Sequence, residues 1–220
     1  MEPRLSPGFP WGAHTAARAV VGAGRMLLGR YFPLVCTGRE RVPPGPLVVA
    51  ANHFSHLDPV VVAVAVGRPI RYLAVDELFG RSAFFDWLTL WLGAIPLPRS
   101  RLPLEALRLA LAELDAGGTV GVYPEGMRVW VWDEVEPKRG AAWLARRAGV
   151  PLLPVAVAGS EEALGRGTTS AARRPIGATV CEPIFPGDFA ASPDPVGEMT
   201  AEWRRRVGEA LRRAYAALDL

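Results

Sequence analysis

Strand-length runs with no polar residue alternating through them recur along this chain, and they restrict its fold more than anything else does. "LVVAA" (47–51) and "LLPVAVA" (152–158) are the clearest. A strand with one wet face alternates apolar and polar residues. A strand apolar throughout is buried on both faces, as in a parallel sheet covered by helices. Further strand-like runs are "IRYLAV" (70–75), "AIPLP" (94–98), "TVGVYP" (119–124) and "ATVCEPI" (178–184). Helical stretches separate them: "DPVVVAVAVG" (58–67), "PLEALRLALAELDAGG" (103–118) and "RGAAWLARRAG" (139–149). Two more helices are expected at the ends, over 15–32 and over 199–218, the latter with Trp203, Val207, Leu211 and Leu218 on one face. Strand and helix in alternation predict an α/β fold with a mostly parallel central sheet covered by helices.

Composition sets limits on function. Half of the 220 residues are apolar, enough for one large core. The formal net charge of +3 is too small to imply a nucleic-acid partner. Lys138 is the only lysine among 25 basic residues, so arginine is heavily favoured, consistent with a sequence-wide bias. Cys36 and Cys181 make no disulfide framework, which fits a reducing cytoplasm. The first ten residues lack the order of a signal peptide. The longest apolar run, "VVVAVAV" (60–66), is far short of the roughly 20 residues that cross a bilayer.

In open parallel sheets, ligands sit beyond the carboxyl ends of the strands. Three polar clusters directly follow strands: "NHFSHLD" (52–58), "PRS" (98–100) and "PEGMR" (124–128). Two readings of the first stand side by side. Asp58 before Pro59 has the form of a helix N-cap, with Asn52 and His53 as turn residues. Alternatively, Asp58 accepts the proton on one nitrogen of His53 and leaves the other nitrogen basic, as in a serine-protease triad stripped of its serine. A base of that kind needs a hydroxyl from the substrate. Ser55 is a poor nucleophile candidate, since no G-x-S-x-G elbow exists. A metal site on His53, His56 and Asp58 lacks further ligands, because His14 is the only other histidine. Glu125 can accept a hydrogen bond from a substrate hydroxyl, and Arg128 and Arg99 can fork a phosphate. Together the clusters describe a site for a phosphorylated alcohol.

With these blocks in place, the chain resembles the 1-acylglycerol-3-phosphate acyltransferases of the glycerolipid acyltransferase superfamily. "NHFSHLD" is similar to that family's N-H-x4-D block, "GAIPLPR" to its Gly-x-Ile stretch ending in Arg, "YPEGMR" to F-P-E-G-T-R and "VPLLPVAV" to its Val-Pro strand. The likeness runs from about Thr37 to Ile184. It implies helices on both faces of the sheet, an N-terminal helical element over 1–36, a core over 37–184 and a C-terminal loop and helix over 185–220. It further implies transfer of a fatty acyl group from acyl-CoA or acyl carrier protein, a co-substrate rather than a tightly bound cofactor, to a lysophosphatidic acid-type hydroxyl. By that pattern His53 is the base and Asp58 its partner. Arg99 and Arg128 bind the acceptor's phosphate, while Glu125 and Gly126 shape the pocket.

Met127 stands where the family carries Thr, and Val129 where it carries Ser, so another lysophospholipid, glycolipid or amino-lipid acceptor is an alternative. A non-catalytic lipid- or phosphate-binding protein on the same scaffold is a second. Five aromatics in "FGRSAFFDWLTLWLG" (79–93) suit a bilayer interface. With the N-terminal helix they lead to an expected peripheral attachment to the inner face of the cell membrane.

Overall fold

The computed structural model describes residues 19, 21, 22, 26, 29–75, 95–97, 104–168 and 170–219. Arg99 and the aromatic stretch 79–93 lie outside the described residues, as does most of the expected N-terminal helix. Its described members up to Tyr31, among them Gly29–Tyr31, are helical, and Phe32 lies in the bend that leads to the first strand.

Seven strands form one sheet: β1 (Leu34–Thr37), β2 (Leu47–Ala51), β3 (Arg71–Val75), β4 (Ile95–Leu97), β5 (Thr119–Val122), β6 (Leu152–Ala158) and β7 (Ile176–Val180). Their spatial order is β1-β7-β6-β2-β5-β3-β4. Every pairing is parallel except β6 with β7, so β1 and β7 run against the rest. The two unalternating runs are central. β2 lies between β6 and β5, β6 lies between β7 and β2, and every residue of both is buried. Pro154 is tolerated inside β6 because it sits where the β7 ladder ends. Cys181 still donates to its carbonyl at 3.0 Å, and only the return bond is lost.

The period of two sorts the strand side chains onto two faces. Val48, Ala50, Val120, Leu152, Ala156 and Ala158 join one core. Helices α2 (Leu104–Asp115), α3 (Gly140–Ala148) and α5 (Pro195–Leu218) cover it with Leu109, Leu144, Met199, Trp203 and Leu211. Leu47, Val49, Ala51, Leu153, Val155 and Val157 join the other core. That face is covered by α1 (Asp58–Val66), whose Val61, Val62, Ala65 and Val66 are buried. Valine-rich sequence is a poor intrinsic helix former, and α1 holds because it is buried nearly all round. A short α4 (Ser160–Leu164) follows β6.

Three expectations shift. Strand "ATVCEPI" begins earlier, at Ile176, and stops at Val180; Ile184 instead makes a separate bridge with Leu152. The last helix starts a turn early, at Pro195, because the Asp194 carboxylate accepts from the Gly197 amide and Pro195 opens the helix. Within 1–36, expected to be helical, Leu34–Cys36 belong to the edge strand β1, paired in parallel with β7.

Candidate active site

Where β2 ends, Asn52 takes over the hydrogen bonding of the ladder with its side chain. Its amide donates to Val157 O and accepts from Val157 N, each at 2.8 Å, fully buried. The backbone is thereby free to leave the sheet and turn back within six residues. That turn brings His53 Nδ1 to 2.9 Å from Asp58 Oδ2. The same oxygen accepts from the backbone amides of Phe54 and Ser55, each at 2.7 Å. Asp58 is completely buried and His53 mostly so, its side chain 15% exposed. A carboxylate oxygen already holding two amide protons favours an imidazole that presents Nδ1–H to it, which leaves Nε2 with a lone pair.

Asp58 is not the N-cap that its place before Pro59 suggests; Leu57 holds that position. Asp58 is the first residue of α1, and its carboxylate reaches back to the turn rather than forward to the helix amides. It still lies at the positive end of the helix dipole. Ser55 is committed elsewhere: its Oγ donates to Leu164 O at 2.5 Å and accepts from Leu57 N at 3.1 Å.

The third cluster meets the first. Gly126 N donates to Tyr123 O at 2.9 Å in a tight turn, with Gly126 at φ 70°, in the left-handed region that favours glycine. A Cβ there would also fall 2.6 Å from Lys138 Nζ, so the chain's one lysine lies against this turn. Glu125 is buried and its Oε1 accepts from the His53 amide at 3.3 Å. Burial pushes the Glu125 carboxyl up to about 8, with the nearby Asp58 charge acting the same way against two backbone hydrogen bonds. Val129 N donates to His53 O at 2.8 Å, which anchors Arg128, half-buried, one residue from the histidine's own peptide. Of the six expected site residues, His53, Asp58, Glu125, Gly126 and Arg128 therefore gather at the ends of β2 and β5. Arg99 is not described.

Tyr123 is a member that sequence reasoning passed over. Its ring stacks on His53, centroids 4.0 Å apart and planes 17° from parallel. Tyr72 stacks behind it at 5.6 Å and donates to Pro59 O at 2.8 Å, tying the stack to the first turn of α1. Burial keeps the Tyr123 hydroxyl well above its ordinary value, hence neutral. The signal was present, since Tyr123 is the last residue before the "PEG" turn and follows a strand. Met127 and Val129 have a packing role: Val129 is buried and Met127 partly so, both against the core shared with α3 and α5.

A separate cleft of about 660 Å³ lies between residues 132–139 and α5. Its arginines are largely engaged: Arg204 with Asp133 and Glu136, Arg205 with Glu202 and Glu209, Arg139 with Asp194. It is cross-linked by charge and holds none of the His53 cluster.

Comparison with known proteins adds a family to this geometry. The family model described as Acyltransferase matches residues 33–158. A Mycoplasma genitalium protein described as a probable 1-acyl-sn-glycerol-3-phosphate acyltransferase is 34% identical over 132 residues, 58% of this chain and 49% of that one. The Bacillus subtilis 1-acyl-sn-glycerol-3-phosphate acyltransferase is 27% identical over 175 residues, 78% of this chain and 84% of that one. The chain spans about half the length of the two Mycoplasma relatives it matches. In fold it is similar to the LPA acyltransferase PlsC from Thermotoga maritima, with a TM-score of 0.74, 24% identity, and coverage of 90% of this chain and 80% of that one.

Proposed function

The chain belongs to the acyltransferase family, and on that premise we propose that it esterifies the free hydroxyl of a 1-acyl-glycerol-3-phosphate-type acceptor, taking the acyl group from an acyl-thioester. The observation that carries the mechanism is the buried His53 Nδ1–Asp58 Oδ2 contact at 2.9 Å. His53 Nε2 removes the hydroxyl proton as the oxygen attacks the thioester carbonyl. Asp58 holds the ring in register and stabilises the imidazolium that forms. The tetrahedral intermediate then collapses, the C–S bond breaks, and the thiol leaves with the proton returned by His53. One ester forms, one thioester is lost, and no redox partner is needed.

Arg128 and Arg99 are assigned to the acceptor's phosphate, where a guanidinium fork fits the oxygens. Support comes from the anchoring of Arg128 beside His53 through Val129 and from the names of the relatives above. Glu125 and Gly126 are assigned to the wall of the same pocket. The donor is acyl-CoA or acyl carrier protein, a co-substrate consumed each turnover. With a lipid acceptor, the protein works as a peripheral protein at the inner face of the cell membrane. Among the described residues no helix is long and apolar enough to cross a membrane.

His53→Ala tests the mechanism. Transfer, read as acceptor-dependent thiol release, is expected to fall by about 10³ with the circular dichroism spectrum unchanged. Near-normal turnover in that variant would exclude His53 as the base.

A further inference from the structure

Beyond the His53 cluster, the surface feature most in need of an occupant is the tip of the loop that leaves it. Trp130 and Val131, adjacent in sequence, are 57% and 63% exposed. Free apolar side chains of this size in water are unfavourable, and a tryptophan next to a branched aliphatic residue on a loop tip suits a lipid interface. The tip is also held in shape. The Trp130 amide donates to Glu134 Oε2 at 2.5 Å, and the preceding Val129 amide donates to His53 O at 2.8 Å. Its exposure is thus a feature of a fixed loop.

Besides Glu134, which holds the Trp130 amide, the tip has a cationic neighbour on another loop. The Arg166 guanidinium lies 5.4 Å from the centroid of the Trp130 ring. Arg173, exposed, follows on the same 165–173 loop, and neither arginine has an ion-pair partner among the described residues. That loop is itself tied to the catalytic turn, since Gly165 bridges Ser55 and Leu164 O accepts from the Ser55 hydroxyl. The exposed Tyr31 donates to Ala171 O of the same loop at 3.3 Å. One loop thus carries two arginines, contacts the apolar tip through Arg166 and the exposed Tyr31 through Ala171, and is bonded to the His53–Asp58 turn at Ser55.

We infer that the Trp130–Val131 tip, together with the adjoining loop that carries Arg166 and Arg173, is an element that seats this protein on an anionic lipid surface. The indole and valine enter the interface, and the guanidinium groups meet headgroup phosphates. Because the tip is one residue from the amide bonded to His53 O, seating it brings the mouth of the site to headgroup depth. There an acceptor hydroxyl can reach the histidine without its acyl chain leaving the bilayer. This rests on the lipid-acceptor reading above and adds the surface that meets the membrane.

The test is flotation of the full chain with phosphatidylcholine vesicles, with and without phosphatidylglycerol. Three proteins are compared: wild type, the double variant Trp130→Ala with Val131→Asp, and the control Trp143→Ala, another exposed tryptophan, on α3. Wild type and control are expected to float with anionic vesicles, while the double variant loses about tenfold in bound fraction. With a short-chain acceptor below its micelle concentration, the double variant should keep wild-type turnover, which also shows that it folds. Its rate on acceptor embedded in vesicles should fall. The inference is overturned if wild type does not float, if the double variant floats equally, or if the control loses as much. A change in self-association without a change in flotation would overturn it too, assigning the tip to a second copy of the chain. Absence of transfer by wild type on the soluble acceptor would instead refute the acyltransfer reading, while flotation still judges the tip.

Discussion

Asp58 Oδ2 receives three donors: the His53 ring and the amides of Phe54 and Ser55. Two of those bonds are to backbone, so the carboxylate is fixed before any substrate arrives, and it fixes the imidazole in turn. Asp58→Asn keeps the size of the side chain and an acceptor oxygen but removes the charge that balances the imidazolium. A fall in kcat of roughly 10² to 10⁴ is expected, with KM for the acceptor little changed. A proportionate rise in KM alone would place Asp58 in binding instead. Glu125 gives a second measurable consequence. Its carboxyl is raised to about 8 in the folded protein, against 4.5 for the free group. The stabilisation from holding that proton is fully present below about pH 4.5 and is lost as pH rises through about 8. Glu125→Gln keeps an acceptor for the His53 amide and cannot ionise. Its Tm relative to wild type should therefore climb from about pH 5 and level off above about pH 8, and a flat difference throughout would contradict a buried, protonated Glu125.

Strand ends position everything just described, and they were the most readable part of the sequence. An apolar run without alternation, followed at once by polar residues, located both β2 with its His-Asp turn and β5 with its "PEG" turn. What escaped was set by partners far away in the chain. Leu34–Thr37 is four residues long and mostly exposed, and it becomes a strand only because β7 offers it a parallel edge. The reach of the Asp58 carboxylate back to Phe54 and Ser55 depends on how tightly the turn closes, and proline at the next position suggested a cap just as well. The stacking of Tyr123 on His53 needs β2 and β5 to be neighbours, which strand order in the sequence does not specify. Asn52 shows the same dependence, its two bonds to Val157 spanning 105 residues. Replacing it with alanine removes both bonds and strands a buried amide and carbonyl at the end of β6. Asn52→Ala is expected to cost about 2–4 kcal/mol in urea denaturation and to lower transfer by releasing the turn that holds His53. A loss below about 0.5 kcal/mol would mean that the ladder closes without it.

The two cores are separated by the sheet, and the His53–Asp58 turn draws on both. Phe54 belongs to the core under α2, α3 and α5, whereas Leu57 packs against the one under α1. The C-terminal helix is therefore a support of the site, reaching it through Trp203. Trp203, 2% exposed, donates from Nε1 to Ala50 O at 2.9 Å, two residues before Asn52, and its ring packs against Trp132 at 5.6 Å. One side chain thus links α5, the last residues of β2 and the segment that follows the "PEG" motif. Truncating it removes a large buried ring and one of the bonds to that carbonyl together. Trp203→Ala is expected to destabilise the fold by about 3–5 kcal/mol in chemical denaturation, against about 1–3 kcal/mol for Trp203→Phe, which keeps most of the ring and loses the donor. Activity should follow the folded fraction in both variants, because α5 holds the site in place without touching the reacting atoms. If Trp203→Phe instead lost turnover while fully folded, the helix would be transmitting a positional constraint through Ala50 to His53, and α5 would be part of the reacting site rather than a support for it.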